Sequence, residues 1–245
     1  MEELKLIALV PAYKPDVELK NVVDDLKKYG FIVVVVDDGS GNEYKKYLNV
    51  DADKIISYET NMGKGYALKT GFRYIKENYN NYIVVDVDCD GQHKADDAYK
   101  LCSYVKDHPD TLVIGKRLRK KNVPLRSKVG NAITRFVFLS VTLRHIYDTQ
   151  SGLRAFKDNL MDYMLSISGN RFEYEMNVLL NLNKKHIKHK EIEIKTIYIN
   201  NNRGSHFKTV RDSWRIYKQI IKFKWKTIVI SLLLIIGLIL FLVLR

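Results

Sequence analysis

Two cysteines in 245 residues, Cys89 and Cys102, are too few for a disulfide framework, and their spacing suits neither a metal clip nor a redox pair. That usage fits a reducing compartment. Low-complexity tracts are absent. The start, MEELKLIALVPAY, carries acids and no long apolar core, so no secretory signal is expected there. No GxGxxG follows the first apolar run and no GxxxxGK[ST] occurs, which disfavours a dinucleotide fold and a P-loop ATPase. Acids are outnumbered: 28 Asp and Glu against 41 Lys and Arg leave a net charge of +13. The balance points to an anionic partner such as nucleic acid, a phosphorylated substrate or acidic lipid.

One apolar run is long. TIVISLLLIIGLILFLVL, residues 227–244, holds no charge and approaches the ~20 residues a bilayer span requires. Apolar on every face and terminal, it predicts a single transmembrane helix over 227–245. The preceding stretch, 203–226, carries eight basic side chains (Arg203, Lys208, Arg211, Arg215, Lys218, Lys222, Lys224, Lys226) against Asp212 alone, and so supplies +7 of the +13. Val210, Trp214, Tyr217, Ile221 and Trp225 recur at helical spacing, and the basic residues repeat the rhythm one position on. A basic amphipathic helix over 207–226 is expected to lie on anionic membrane lipid, and the positive-inside rule keeps the rest of the chain on the cytoplasmic face. The basic residues adjoin the span and no recognition motif is present, so nucleic-acid binding ranks last.

Residues 1–206 form the expected globular domain. LKLIALVPAY (4–13), FIVVVVDDGS (31–40), KIISYE (54–59), YIVVDVD (82–88) and TLVIGKR (111–117) are short Val/Ile-rich runs separated by helical patterns. Runs without strict alternation are strands buried on both faces. They predict an α/β fold, a doubly wound, mostly parallel sheet. Such sheets bind ligands at the carboxyl ends of their strands, which sets Pro11, Tyr13, Asp37, Asp38, Asp88, Asp90, Gln92, Lys116 and Arg117 along one edge. The segment 123–146 reads as helical, either a core helix or one dipping into a membrane interface, and EIEIKTIYI (191–199) as a late strand.

DVDCDGQH (86–93) is the strongest local signal. On an extended backbone, alternate residues share a face, so Asp88, Asp90 and Gln92 would point their oxygens one way. Few hard oxygen ligands, leaving room for water and phosphate, suit Mg²⁺ or Mn²⁺. A solvated acidic turn is the plain alternative. Asp37 and Asp38 could accept hydrogen bonds from a nucleoside, or could serve a turn, since DDGS is also good turn chemistry. NMGKGYALKTG (61–71) places Lys64 between two glycines at the start of a helix, a phosphate contact or simply a tight turn. The basic run from Lys116 to Lys128, including Arg117 and Arg126, is either a solvated surface or a seat for a phosphorylated molecule. Cys89 is assigned to packing.

VPAYKP, VVDDGS, NMGKGYAL, DCDGQH, GKR, DTQSGLRAF and FEYEM, in this order over about residues 4–210, resemble the family 2 glycosyltransferases of GT-A fold. The subgroup they resemble is the dolichyl- and polyprenyl-phosphate sugar synthases of the dolichol-phosphate mannosyltransferase type. The resemblance implies a nucleotide-sugar donor and a polyprenyl or dolichyl phosphate acceptor. It implies that Pro11, Tyr13, Asp37 and Asp38 hold the nucleoside, helped by Lys64 and Asp88. Asp88, Asp90 and Gln92 would place the metal on the diphosphate. Arg117 and Arg126, with Arg203 and Lys208, would receive the lipid and sugar phosphates. Ser151, Gly152 and Arg154 would shape the sugar pocket, and Glu173 or Glu175 would touch sugar hydroxyls. Lys14 and Pro15 stand where the family often has Asn and Glu, and the QxxRW motif of processive polysaccharide synthases is absent, which argues against a polymerising enzyme.

Two other functions compete. Transfer to a glycan or protein hydroxyl would need a carboxylate base, and Glu173 and Glu175 are the convenient candidates. A non-catalytic, membrane-docked nucleotide-sugar binder has less reason to keep such clustered acids.

Overall fold

The computed structural model describes residues 3–117, 145–182 and 186–195, together with Phe138, Thr142, Lys218 and Trp225. Arg126, Arg203, Lys208 and the apolar run 227–244 lie outside the described residues, as does all of 207–226 except Lys218 and Trp225, which are helical and exposed. Among the described residues, no helix is long and apolar enough to cross a membrane.

Seven strands form one sheet: β1 (Lys5–Ala12), β2 (Ile32–Asp37), β3 (Lys54–Ser57), β4 (Tyr82–Asp86), β5 (Thr111–Arg117), β6 (Arg154–Lys157) and β7 (Lys188–Ile194), in the order β3-β2-β1-β4-β6-β5-β7. All pairings are parallel except those of β6, which runs antiparallel to both β4 and β5. The helices are α1 (Glu18–Lys28), α2 (Lys64–Asn78), α3 (Ala95–Asp107), α4 (Met161–Ser166) and α5 (Glu173–Asn181).

The β-branched runs explain the two-sided burial. In β1 and β2, Ile7, Leu9, Val34 and Val36 join one apolar layer while Ala8, Val10, Val33 and Val35 join the other. α2, α4 and α5 cover the first layer, with Leu68, Phe72, Ile75, Met164 and Tyr174 packed inward. α1 and α3 cover the second. Leu19, Val22, Val23 and Leu26 give α1 an i, i+3, i+4, i+7 stripe, and Leu101, Cys102 and Val105 do the same work for α3. Phe72 of α2 meets Phe156 of β6 edge-to-face at 5.4 Å, and Phe72→Ala would cost about 3–5 kcal/mol. Phe138 is fully buried in the first layer, so that point of the 123–146 segment belongs to the core.

β1 is the pivot. It pairs with β2 on one side and β4 on the other, so the chain leaves β1 in one direction and returns in the opposite one. Ligand crevices in open α/β sheets open where strand order reverses in this way. The ends of β1, β2, β4 and β5 and the start of reversed β6 all meet that edge.

Candidate active site

Four loops converge on this edge. The first two are locked together by backbone geometry. Asp38 donates its N–H to Ala12 O at 2.7 Å, and Lys14, at φ 52°, donates its N–H to Ser40 Oγ at 2.8 Å. Ser40 in turn hydrogen-bonds Asp37 Oδ1 through its N–H (3.1 Å) and its hydroxyl. Pro11 is buried in β1 opposite Val36, and Tyr13 is half-buried just beyond the strand. Both oxygens of Asp38 are taken by the glycine turn: they accept from Tyr58 Oη (2.8 Å), Asn61 Nδ2 (2.9 Å) and the N–H groups of Met62 and Gly63 (2.8 Å each). Burial pushes the Asp38 carboxyl up, while these donors pull it down. Its role in the structure is to shape the turn that opens α2, and Asp37 braces the DDGS loop.

That turn delivers Lys64. Gly63 sits at φ 104°, and a Cβ there would stand 2.6 Å from Asn170 O. Lys64 Nζ lies 2.6 Å from Asp88 Oδ1 and 3.0 Å from Glu175 Oε1. Burial alone would lower the Lys64 pKa, but the two carboxylates raise it above the ordinary lysine value and keep the ammonium charged.

The acidic turn differs from its expected form. β4 ends at Asp86, so Asp88, Asp90 and Gln92 do not continue a strand but lie on a turn with Gly91 at φ 72°. Their grouping comes from the turn itself, in which Asp90 Oδ1 accepts the Gln92 N–H at 3.1 Å. Asp88 is gripped by Lys64 on one oxygen and faces His93 Nε2 at 3.3 Å on the other. Burial works to raise the Asp88 carboxyl, yet Lys64 and His93 hold it well below the usual range. Asp90 is pushed up by burial and then by the Asp88 charge. A divalent cation would relieve this repulsion, and two carboxylates with one amide are hard donors that fit Mg²⁺ or Mn²⁺. Among the described residues no group of three or more His, Cys, Asp and Glu is placed to hold a metal ion. Cys89 packs against the apolar layer under the turn, its thiol pushed up to about 12 by burial and by Asp90 and Asp88.

The DTQSGLR loop closes the far side. Ser151 and Arg154 are fully buried. Arg154 Nε donates to Ser151 O at 3.1 Å and Nη1 to Glu175 O at 2.7 Å, and Arg154 pairs in register with Asp86. Gly152 packs directly on the charged group: a Cβ there would stand 2.7 Å from Asp88 Oδ2 and 2.9 Å from Lys64 Nζ. Glu173 does not join Glu175. Its Oε1 accepts the Asn170 and Arg171 N–H groups at 3.2 Å and so braces the turn that precedes α5.

Arg117, at the end of β5, belongs to a separate cluster. Asp148 grips it in a fork, with Nε at 2.7 Å and Nη2 at 3.0 Å. Asp148 is oriented by Glu191, which accepts the N–H groups of Tyr147 and Asp148 at 2.9 Å. Thus Lys64, Asp88, Gly152, Arg154 and Glu175 are brought together, Asp90 and Gln92 share their turn, and Asp37, Asp38 and Glu173 are engaged in loop structure. Sequence reasoning missed His93, Asp148, Glu191, Tyr58 and Arg171. Asp148 and His93 stood inside quoted motifs, but their partners were not readable.

Comparison with known proteins agrees with this geometry. The family model described as Glycosyl transferase family 2 matches residues 7–179. The chain is similar to the UDP-N-acetylglucosamine–dolichyl-phosphate N-acetylglucosaminyltransferase of Methanococcus voltae, 30% identical over 221 residues that cover 81% of this chain and 88% of that one. It is similar to the dolichyl-phosphate beta-glucosyltransferase of Saccharomyces cerevisiae, 30% identical over 189 residues that cover 63% and 55% of the two chains. In fold it is similar to mannosyl-3-phosphoglycerate synthase from Rubrobacter xylanophilus, with a TM-score of 0.67 over 91% of this chain and 75% of that one at 15% identity. A mostly parallel sheet with its charged turn at the strand-order reversal, and a family match over most of the chain, lead to one assignment: the protein is a glycosyltransferase and belongs to glycosyl transferase family 2.

Proposed function

We propose that this glycosyltransferase moves one hexose unit from a nucleotide sugar to the phosphate of a membrane polyprenol or dolichol, with inversion at the anomeric carbon. The observation that carries the reading is the state of the two glutamates. A hydroxyl acceptor needs a carboxylate base, and Glu175 is bound to Lys64 while Glu173 braces the turn before α5. A lipid phosphate is already anionic and needs no base. The names of the Methanococcus and Saccharomyces relatives, both acting on dolichyl phosphate, support the acceptor class, and the former supports a UDP-linked donor.

In this reading an acceptor phosphate oxygen attacks the anomeric carbon, and the bond from that carbon to the diphosphate oxygen breaks, its electron pair leaving with the nucleoside diphosphate. Attack opposite an α-linked leaving group gives a β-linked glycosyl phosphate. The protein's task is to hold two anions in line. Pro11, Tyr13 and the loop braced by Asp37 and Asp38 receive the nucleoside. Lys64, beside the acidic turn, would contact the donor diphosphate. Arg117, aimed by Asp148, receives the acceptor phosphate with Arg126, Arg203 and Lys208. Ser151, Gly152 and Arg154 form the wall toward the sugar. Asp88, Asp90 and Gln92 would hold Mg²⁺ or Mn²⁺, which when bound neutralises charge developing on the diphosphate. The segment 227–245 anchors the enzyme in the membrane, with 207–226 on the anionic leaflet and the catalytic domain on the cytoplasmic face.

The test is a transfer assay on detergent-solubilised full-length protein with undecaprenyl or dolichyl phosphate, Mg²⁺ or Mn²⁺, and labelled UDP-N-acetylglucosamine, UDP-glucose or GDP-mannose. Label is expected in the organic phase with one donor, and lost in Asp90→Ala. Donor hydrolysis without lipid labelling by any donor would sink the acceptor assignment.

A further inference from the structure

One ammonium shared by two carboxylates leaves the group with a net negative charge whose position depends on how the ammonium divides itself. Lys64 stands between Asp88 and Glu175 in this way, 2.6 Å from one and 3.0 Å from the other, all three side chains largely buried, while His93 Nε2 faces the second Asp88 oxygen at 3.3 Å. Glu175 is firmly placed, since its main-chain carbonyl accepts from the buried Arg154 at 2.7 Å. The neighbouring Tyr174 is anchored through its hydroxyl to Met164 O at 2.8 Å. Gly152 leaves room for this arrangement, since a Cβ there would stand 2.9 Å from Lys64 Nζ. If Glu175 lost its charge, Lys64 would turn wholly to Asp88 and neutralise the carboxylate that the divalent cation requires.

We propose that Glu175 is a positioning residue that, by sharing the Lys64 ammonium, keeps it from pairing with Asp88 alone and so leaves the Asp88 charge available to a divalent cation. The inference rests on the metal role given to Asp88 above. It differs from a through-space effect, in which Glu175 merely adds negative charge near a cation. Partners one step removed from a metal ligand commonly change affinity by about tenfold or more. The two accounts separate in a cycle. Acting through Lys64, Glu175 loses its influence once Lys64 is gone; acting through space, it keeps it.

The experiment is Mn²⁺ titration by electron paramagnetic resonance on detergent-solubilised full-length protein without donor, for wild type, Glu175→Gln, Lys64→Met and the double variant. Cooperative thermal unfolding serves as the folding control. Glu175→Gln is expected to weaken Mn²⁺ binding about tenfold. Lys64→Met is expected to tighten it, and the double variant to bind like Lys64→Met. The double variant keeps the buried charges balanced, so the comparison holds even where a single variant folds poorly. Additive effects in the cycle, no change in Glu175→Gln, or a wild type that binds no Mn²⁺ would each overturn the proposal. Failure of the transferase reading shows separately, as absence of lipid labelling by the wild type.

Discussion

A methyl group at position 152 would reach the buried Lys64–Asp88 pair. It would stand 2.7 Å from Asp88 Oδ2 and 2.9 Å from Lys64 Nζ, so Gly152→Ala must displace the charged pair. Misplacement of about 1 Å can cost on the order of 100-fold in rate, and kcat is expected to fall by that order while the urea midpoint stays near wild type. Asp148 offers a pH prediction. Burial would raise its carboxyl, but the Arg117 fork and the N–H groups of Arg117 and Gln150 hold it below the ordinary value. A depressed folded-state pKa means stabilisation that is full above the unfolded value of about 3.9 and is lost as pH falls through the folded one. The gap in urea midpoint between wild type and Asp148→Asn should therefore be widest at pH 7 and shrink by pH 3. At this scale the residue types were legible and their partners were not. Asp38 was equally consistent with a nucleoside contact or a turn, because its donors Tyr58, Asn61, Met62 and Gly63 arrive from another loop. Glu173 and Glu175 looked alike in sequence, and only the start of α5 separates a partner of the preceding turn from a lysine partner.

The elements meet at glycines. At Gly65 a Cβ would lie 2.4 Å from Tyr174 Cβ, so the first turn of α2 touches α5 backbone to side chain. Gly65→Ala forces the helices apart and carries Lys64 away from Glu175. An overpacking cost of about 1–3 kcal/mol is expected in urea denaturation, together with loss of transfer. The parallel strands could be read from their Val/Ile runs, with ends within a few residues. β6 could not. Arg154–Lys157 is four residues long and opens with a buried arginine, so neither alternation nor an apolar run announces it. That short strand changes the site. Because it runs backwards, its first residues, not its last, sit at the ligand edge, and they bring Ser151, Gly152 and Arg154 against Asp86 and Asp88.

For the whole molecule, the charge separates two jobs. At the strand-end edge Lys64 and Arg117 are each held by carboxylates, whereas the stretch 203–226 gathers +7 in a helical pattern. A chain ending at residue 226 should bind vesicles containing anionic lipid at low salt and be released as the ionic strength rises, while the full chain stays with the membrane after salt washing. Flotation assays with anionic and neutral vesicles check this, and equal binding to both would remove the electrostatic role of 207–226. The most direct measurement of the central claim is the linkage in the product. NMR of the purified lipid product should show one sugar whose anomeric proton couples to phosphorus, in the β configuration. A sugar joined to a hydroxyl, or an α-linked glycosyl phosphate, would contradict direct displacement by the lipid phosphate.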